Sequence, residues 1–263
     1  MLTHDLSAPI PTLHFANLPR NGRISHAVFT RLGGVSPTPF ASLNLSVSVA
    51  DAEGNVMANR ARAYGVHGRG TDELVHAHLI HGAEVATVTQ ADNGRYVGPV
   101  DGLVTDAPGC GLTMNYADCA PILLYDPVRT AIGLGHAGWQ GVIKDLPGAL
   151  VGAMVEAFGS HPADLVAAVG PCIGPCCYEV DEPVVSAARA AFPTVGGALV
   201  PQPDGPRPHF DLPRAARLRL RAAGVSRIEE AGLCTACRTD LFFSHRAEGG
   251  ATGRFGALLL LNG

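Results

Sequence analysis

Two short apolar runs flanking a tight turn set the strongest constraint on how this chain folds. Pro121 to Tyr125 is apolar, Asp126-Pro127 is a turn signal, and Thr130 to Leu134 is apolar again. Proline presets its own φ for a turn, and an aspartate side chain can bond the backbone beyond it. Two apolar runs around such a turn read as a β-hairpin. If Asp126 pairs with Arg129, Cys119 and His136 fall directly across from each other at the open end. Opposed side chains on one face of a hairpin have Cβ atoms about 4.5–5.5 Å apart. That separation suits a shared metal ion or a thiol–imidazole pair. A β-bulge between the two positions would break this register.

Other segments read more simply. His26 to Leu32 is a strand running into the turn Gly33-Gly34, and Glu84 to Gln90 alternates as a strand. Gly102 to Asn115 gives two short strands around Pro108-Gly109. Leu165 to Val169 is a buried-strand run, and Arg254 to Leu261 is a final strand. Helical spacing marks Asn55 to Tyr64, Lys144 to Phe158 and Pro183 to Phe192. Asp211 reads as an N-cap for a helix through about Ala223, with Pro213 in its first turn. Pro201 to Pro208 reads as a surface loop. Strands and helices alternate without a regular βαβ beat, which predicts an α/β or α+β fold with mixed or antiparallel sheets. No linker stands out, so residues 1–263 are expected to form a single catalytic domain.

Bulk properties narrow the function. At 47% hydrophobic and 16% charged residues, the chain has the composition of a packed globular protein. A net charge of −4 leaves no nucleic-acid footprint and no polybasic membrane patch. The N-terminus lacks the basic and apolar regions of a secretory signal, and no apolar run approaches the roughly 20 residues of a membrane helix. Seven cysteines, an odd number, argue against a disulfide framework and for a cytoplasmic location. A monomer and a homodimer both suit such a chain.

A cysteine and a histidine make half a metal site. The segment His76-Ala-His-Leu-Ile-His-Gly-Ala-Glu84 offers His76, His78 and His81 as a third ligand. Gly82 after His81 would let the backbone approach another element closely. Two histidines, one cysteine and an open fourth position make a catalytic zinc arrangement. Copper also takes such donors, and outcompetes zinc at most nitrogen/sulfur sites. Five of the other six cysteines fall in Cys172-Ile-Gly-Pro-Cys-Cys177 and in Cys234-Thr-Ala-Cys237. A single CxxC is a weak signal, and these read first as buried or semi-buried thiols lining a cleft, with a second metal site on Cys172 or Cys176 and the CxxC pair as the alternative. Two other chemistries use the same residues. A cysteine hydrolase would take Cys119 as nucleophile and His136 as base. A copper phenol oxidase is the other, although such oxidases use many more histidines.

Blocks along nearly the whole chain resemble one family. They are His26-Ala-Val-Phe-Thr-Arg-Leu-Gly-Gly-Val-Ser36, Ser42-Leu-Asn-Leu45, His81-Gly82, Ala117-Asp-Cys-Ala-Pro-Ile-Leu-Leu124 and Gly135-His-Ala-Gly-Trp-Gln-Gly141. Gly170 to Val180, Cys234-Thr235, Phe243-Ser-His-Arg246 and Thr252-Gly-Arg254 continue the series. The pattern resembles the group once called polyphenol-oxidase or laccase-domain (YfiH-like) proteins, now regarded as purine nucleoside phosphorylases with adenosine deaminase activity.

The resemblance implies a layered α/β/β/α sandwich and places the zinc ligands, which are also the catalytic centre, on His81, Cys119 and His136. It implies a purine nucleoside (adenosine, inosine or methylthioadenosine) and phosphate as substrates. Arg31 and Arg246 are then candidate phosphate or ribose clamps, because guanidinium forks match phosphate oxygens. Asn44 is a candidate for the ribose or base. Asp118 and Glu179 are candidate acid/base groups for deamination, although Asp118 should alternate away from Cys119 on a regular strand. Two positions depart from the family pattern. Leu79 stands where Gln is common, and His245 where Tyr is frequent.

Overall fold

The structure is a computed structural model, and it describes residues 3–5, 8–19, 22–193, 197–200 and 207–263. The loop expected over 201–208 lies largely outside the described residues.

Two mixed sheets stack face to face. The first has seven strands in the order Thr3–Asp5, Thr12–His14, Ile24–Phe29, Phe255–Leu261, Gly111–Tyr116, Val75–Ala77, Tyr96–Val97. The second has six, in the order Arg227–Glu230, Val166–Val169, Ala120–Asp126, Ala131–Ala137, Gly102–Thr105, Val85–Thr87. Central strands are buried on both faces, which is why they read as continuous apolar runs. Along Phe255–Leu261, Ala257, Leu259 and Leu261 point between the sheets, where Leu112, Met114, Leu123, Tyr125, Ile132 and Leu134 also lie. Leu258 and Leu260 point outward, onto Ala63 and Tyr64 of the helix Glu53–Gly65.

The outer face of the second sheet carries Ile122, Leu124, Ala167 and Val169. They pack on Leu146, Leu150 and Met154 of the helix Leu146–Phe158, and on Leu212, Ala216 and Leu220 of the helix Leu212–Ala222. The layers are therefore α/β/β/α, as the resemblance implied. Asp211 caps the last helix as expected, its Oδ1 accepting the Arg214 N–H at 3.1 Å.

The hairpin forms, but its register differs from the one expected. Asp126 pairs with Ala131, not Arg129, and His136 faces Pro121. The turn causes the shift, without a bulge. Asp126 Oδ1 accepts the backbone N–H of both Val128 and Arg129, at 2.8 and 3.0 Å. Those bonds hold Arg129 in the turn, and Thr130 completes it at φ 54°. The loop is thus two residues longer, and Cys119 comes opposite Gly138. His136 and Cys119 remain diagonal neighbours on the inter-sheet face, within reach of long side chains. The expected strand over Glu84–Gln90 is confined to Val85–Thr87, because Gln90–Asp92 turns into a 3-10 helix capped by Thr89. The helix expected over Lys144–Phe158 starts at Leu146 behind the Asp145 cap, and a separate helix, Trp139–Ile143, precedes it.

Candidate metal centre and cavity

His81, Cys119 and His136 meet at one end of the inter-sheet core, with one ligand atom from each within 4.8 Å of the others. Three different elements supply them. His136 lies in the strand Ala131–Ala137 and is buried. Its ring stacks on Tyr116, with centroids 5.2 Å apart, while the Tyr116 hydroxyl donates to the Gly135 carbonyl at 3.0 Å. Cys119 precedes the neighbouring strand, directly after Asp118, which turns the chain at φ 81°. Gly138 makes room for the sulfur. A Cβ there would lie 2.9 Å from Cys119 Sγ and 3.6 Å from His81 Cδ2. Gly138 has φ −80°, which alanine adopts freely. Gly138→Ala should therefore keep the fold and lower metal affinity on the order of 10–100-fold, like other changes beside a metal's ligands, as read by competition with a chromophoric chelator.

Asp101 organises the third ligand. Its carboxylate, 0% exposed, accepts the backbone N–H of Ile80, His81 and Gly82 at 3.3, 3.0 and 2.6 Å. Those bonds hold the bend in which His81 takes φ 56°, so the left-handed residue is the histidine and not the glycine after it. The same carboxylate faces Nδ1 of His136 at 3.6 Å, an ionic contact longer than a hydrogen bond. That leaves the other ring nitrogen, Nε2, for a ligand, in the carboxylate–histidine–metal pattern.

The electrostatics supply a thiolate donor beside a protonated imidazole, whose proton a bound metal ion would displace. Burial alone would raise the Cys119 thiol, yet His136 and His81 bring its pKa down to about 6. Burial alone would lower His136, yet the Cys119 thiolate and the Asp101 carboxylate raise it to about 9. Two imidazoles and a thiolate fit zinc or copper. His81 is exposed, so its side of the site opens outward.

It opens into a cavity of about 830 Å³. Arg246, Arg254, Tyr178, His245, His76 and Leu79 line it along with the three ligands. Arg246 donates through its side chain to the Glu179 carbonyl at 2.8 Å and lies over the Tyr178 ring at 5.0 Å. Arg254 donates to the Thr252 and Gly253 carbonyls. The two departures from the family pattern, Leu79 and His245, both face this cavity.

Other expected site residues lie elsewhere. Arg31 is away from the cavity and bonds the Ala41 and Thr239 carbonyls and the Glu248 carboxylate. Asn44 is fully buried and organises the loop behind the wall, accepting the Ser46 and Arg254 N–H and donating to the Ser46 carbonyl and Asp51. Glu179 lies outside the cavity and pairs with Arg207 at 3.3 Å. Asp118 lines the cavity instead of alternating away, because its left-handed φ breaks the strand. Its carboxylate accepts the Thr235 hydroxyl at 2.6 Å and the Arg246 N–H at 2.7 Å. Neither rival histidine joins the ligand group. His76 stacks on Tyr96 at 4.8 Å, and His78 lies 5.0 Å from the same ring.

His76 has a measurable consequence of its own. Burial, with Arg60 nearby, holds its pKa down to about 3. The unfolded chain takes up a proton near pH 6.5 that the folded chain refuses, so this stability is full above about 6.5 and declines as pH falls toward 3. The slope contributed is at most about 1.4 kcal/mol per pH unit. His76→Phe should flatten the stability curve between pH 6 and 4, measured by urea unfolding at each pH.

Sequence reasoning did not single out Asp101, Tyr178 or Arg254. The last two stand inside the matching blocks, whereas nothing local marks Asp101.

With this geometry in view, relatives are informative. A model of the family described as multi-copper polyphenol oxidoreductase laccase matches residues 25–262. The chain belongs to that family. It is similar to purine nucleoside phosphorylase YlmD of Geobacillus stearothermophilus, 38% identical over 248 residues covering 88% of this chain and 87% of the relative. It is also similar to a purine nucleoside phosphorylase of Deinococcus radiodurans, 38% identical over 255 residues, with 97% and 94% covered. Among solved structures, that of Bacillus licheniformis hypothetical protein YfiH aligns with a TM-score of 0.90 at 33% identity, covering 98% of this chain and 99% of the other. No helix among the described residues is long and apolar enough to cross a membrane.

Proposed function

We propose that the chain is a single-domain, zinc-dependent purine nucleoside phosphorylase, acting on adenosine, inosine and methylthioadenosine, with adenosine deaminase activity. One observation carries the reading: two imidazoles and a thiol converge on the floor of a cavity walled by arginines and an aromatic ring. Relatives named purine nucleoside phosphorylase support it. The free cysteines suit a reducing compartment such as the cytoplasm.

In phosphorolysis, a phosphate oxygen bonds to ribose C1′ as the C1′–N bond breaks, and its electron pair leaves with the purine, which takes a proton. Positive charge develops on the sugar. Arg246 and Arg254 replace Arg31 as the groups placed to hold the phosphate, since they face the cavity. Tyr178 offers a ring face to the base, steadied by Arg246. Asp118 fixes the Arg246 backbone and so sets where that guanidinium starts. His81, Cys119 and His136 would hold a zinc ion, which when bound would supply a Lewis acid beside the substrate.

A thiol–imidazole hydrolase is the second reading, favoured by the low Cys119 pKa beside His136. His81 on the same sulfur favours a ligand role, and a chelator separates the two. Metal analysis of protein made without added copper, then product analysis from adenosine, tests the proposal. Adenine that forms only with phosphate, and is lost on chelation, is the expected result, with inosine marking deamination. Chelator-resistant turnover blocked by an alkylating agent would establish the hydrolase instead.

A further inference from the structure

A second group of thiols lies on the far side of the cavity wall. The strands Val166–Val169 and Arg227–Glu230 run parallel, so the chain leaves both at the same end of the sheet. A backbone β-bridge pairs Cys172 with Cys234 just beyond, and the Thr235 N–H donates to the Cys172 carbonyl at 3.1 Å. Each segment then turns. The Cys177 N–H closes one turn on the Gly174 carbonyl, and the Arg238 N–H closes the other on the Cys234 carbonyl, both at 3.0 Å.

These turns bring Cys176, Cys177, Cys234 and Cys237 together, with their sulfurs within 4.8 Å of one another. Cys172 is buried outside the group, so of the two partners the sequence offered for the CxxC pair it is Cys176 that joins it, and Cys177 adds a fourth thiol. All seven cysteines are free. The Cys176–Cys237 and Cys177–Cys237 sulfur separations are 3.4 Å. A disulfide requires about 2.05 Å. A tetrahedral zinc with Zn–S bonds of about 2.3 Å sets sulfur–sulfur edges near 3.8 Å. The cluster therefore has the size of a metal tetrahedron. A backbone donor also points at it, because the Gly174 N–H donates to Cys234 Sγ at 3.2 Å. Amides aimed at sulfur are the kind of outer support that metal thiolates use.

We propose that Cys176, Cys177, Cys234 and Cys237 bind one structural Zn²⁺ as a tetrathiolate, distinct from the His81/Cys119/His136 centre. Four protein ligands close the coordination sphere, which suits a structural site and not a catalytic one. Without a metal, two of these sulfurs, on Cys176 and Cys237, would be exposed thiols. The zinc cross-links two turns that build the cavity wall. Ile173 and Tyr178 bracket the first turn and line the cavity, and the Ile173 N–H donates to the Asp118 carbonyl at 2.9 Å.

Zinc analysis of the full chain, made without added copper, tests this independently of the proposed activity. Cys237→Ser and Cys176→Ser should each carry one zinc equivalent fewer per chain than the wild type, while Cys119→Ala should retain that equivalent. In the native Cys119→Ala chain, which lacks the other centre, modification of these four thiols by a mercurial should release one zinc to a chromophoric indicator. That measurement decides the matter if the serine variants fail to fold. A Cys237→Ser chain with the wild-type zinc content would overturn the proposal. So would four thiols that react without releasing zinc, iron as the bound metal, or a native mass lower by the thiol hydrogens lost on forming a disulfide.

Discussion

Cys119→Ala should leave a folded chain that holds no metal at the His81/His136 pair and turns over no nucleoside. The sulfur is the only anionic donor in the set, and its low pKa makes it a thiolate at neutral pH. Two imidazoles alone make a far weaker site, because a structural or catalytic zinc rarely has fewer than three protein ligands. The fold should survive, since Cys119 precedes its strand and is only half-buried. Far-UV circular dichroism, metal content and product formation from adenosine and inosine are the measurements. Phosphorolysis retained by a metal-free variant would remove the zinc mechanism.

Asp101→Asn should have the next largest effect, on stability and metal affinity together. The carboxylate accepts three amides and faces an imidazole, so a side-chain NH₂ placed there meets donors on every side. Leaving a buried donor unsatisfied costs about 1–3 kcal/mol, and more around a charge. Displacing His136 should weaken metal binding on the order of 10–100-fold. The pH dependence adds a signature. Burial would raise the Asp101 pKa, but His136 and the Gly82 and His81 amides hold it below the ordinary carboxylate value. Its contribution is therefore present above the unfolded value near 4 and lost as pH falls through the lower folded value. The wild type should lose stability more steeply than the variant below pH 4. Equal slopes in urea titrations would show that Asp101 is not the group responsible.

Much of this molecule is visible in particular residues. Leu258 and Leu260 alternate with Ala257 and Leu259, and the pattern already describes a strand covered on both faces. Asp211 followed by Pro213 marks a helix start from local chemistry alone. The Cys119/His136 pairing was legible for a reason that proved inexact. The side chains do meet, but across a diagonal, because the Asp126 carboxylate captured two amides and lengthened the turn. Arg31 and Arg246 looked alike as guanidiniums in matching blocks. Only packing separated them, with Glu248 holding Arg31 away and Tyr178 holding Arg246 at the cavity.

Strand and helix types and the donor chemistry are written in the chain, because hydrophobic period and capping act over a few neighbouring residues. Tertiary structure alone decided that Asp101 would bind three amides of a distant bend, that Arg254 would reach the cavity, and that four cysteines some sixty residues apart in two turns would meet. Those contacts depend on how two sheets stack and on where parallel strands end, and no local period in the chain encodes either.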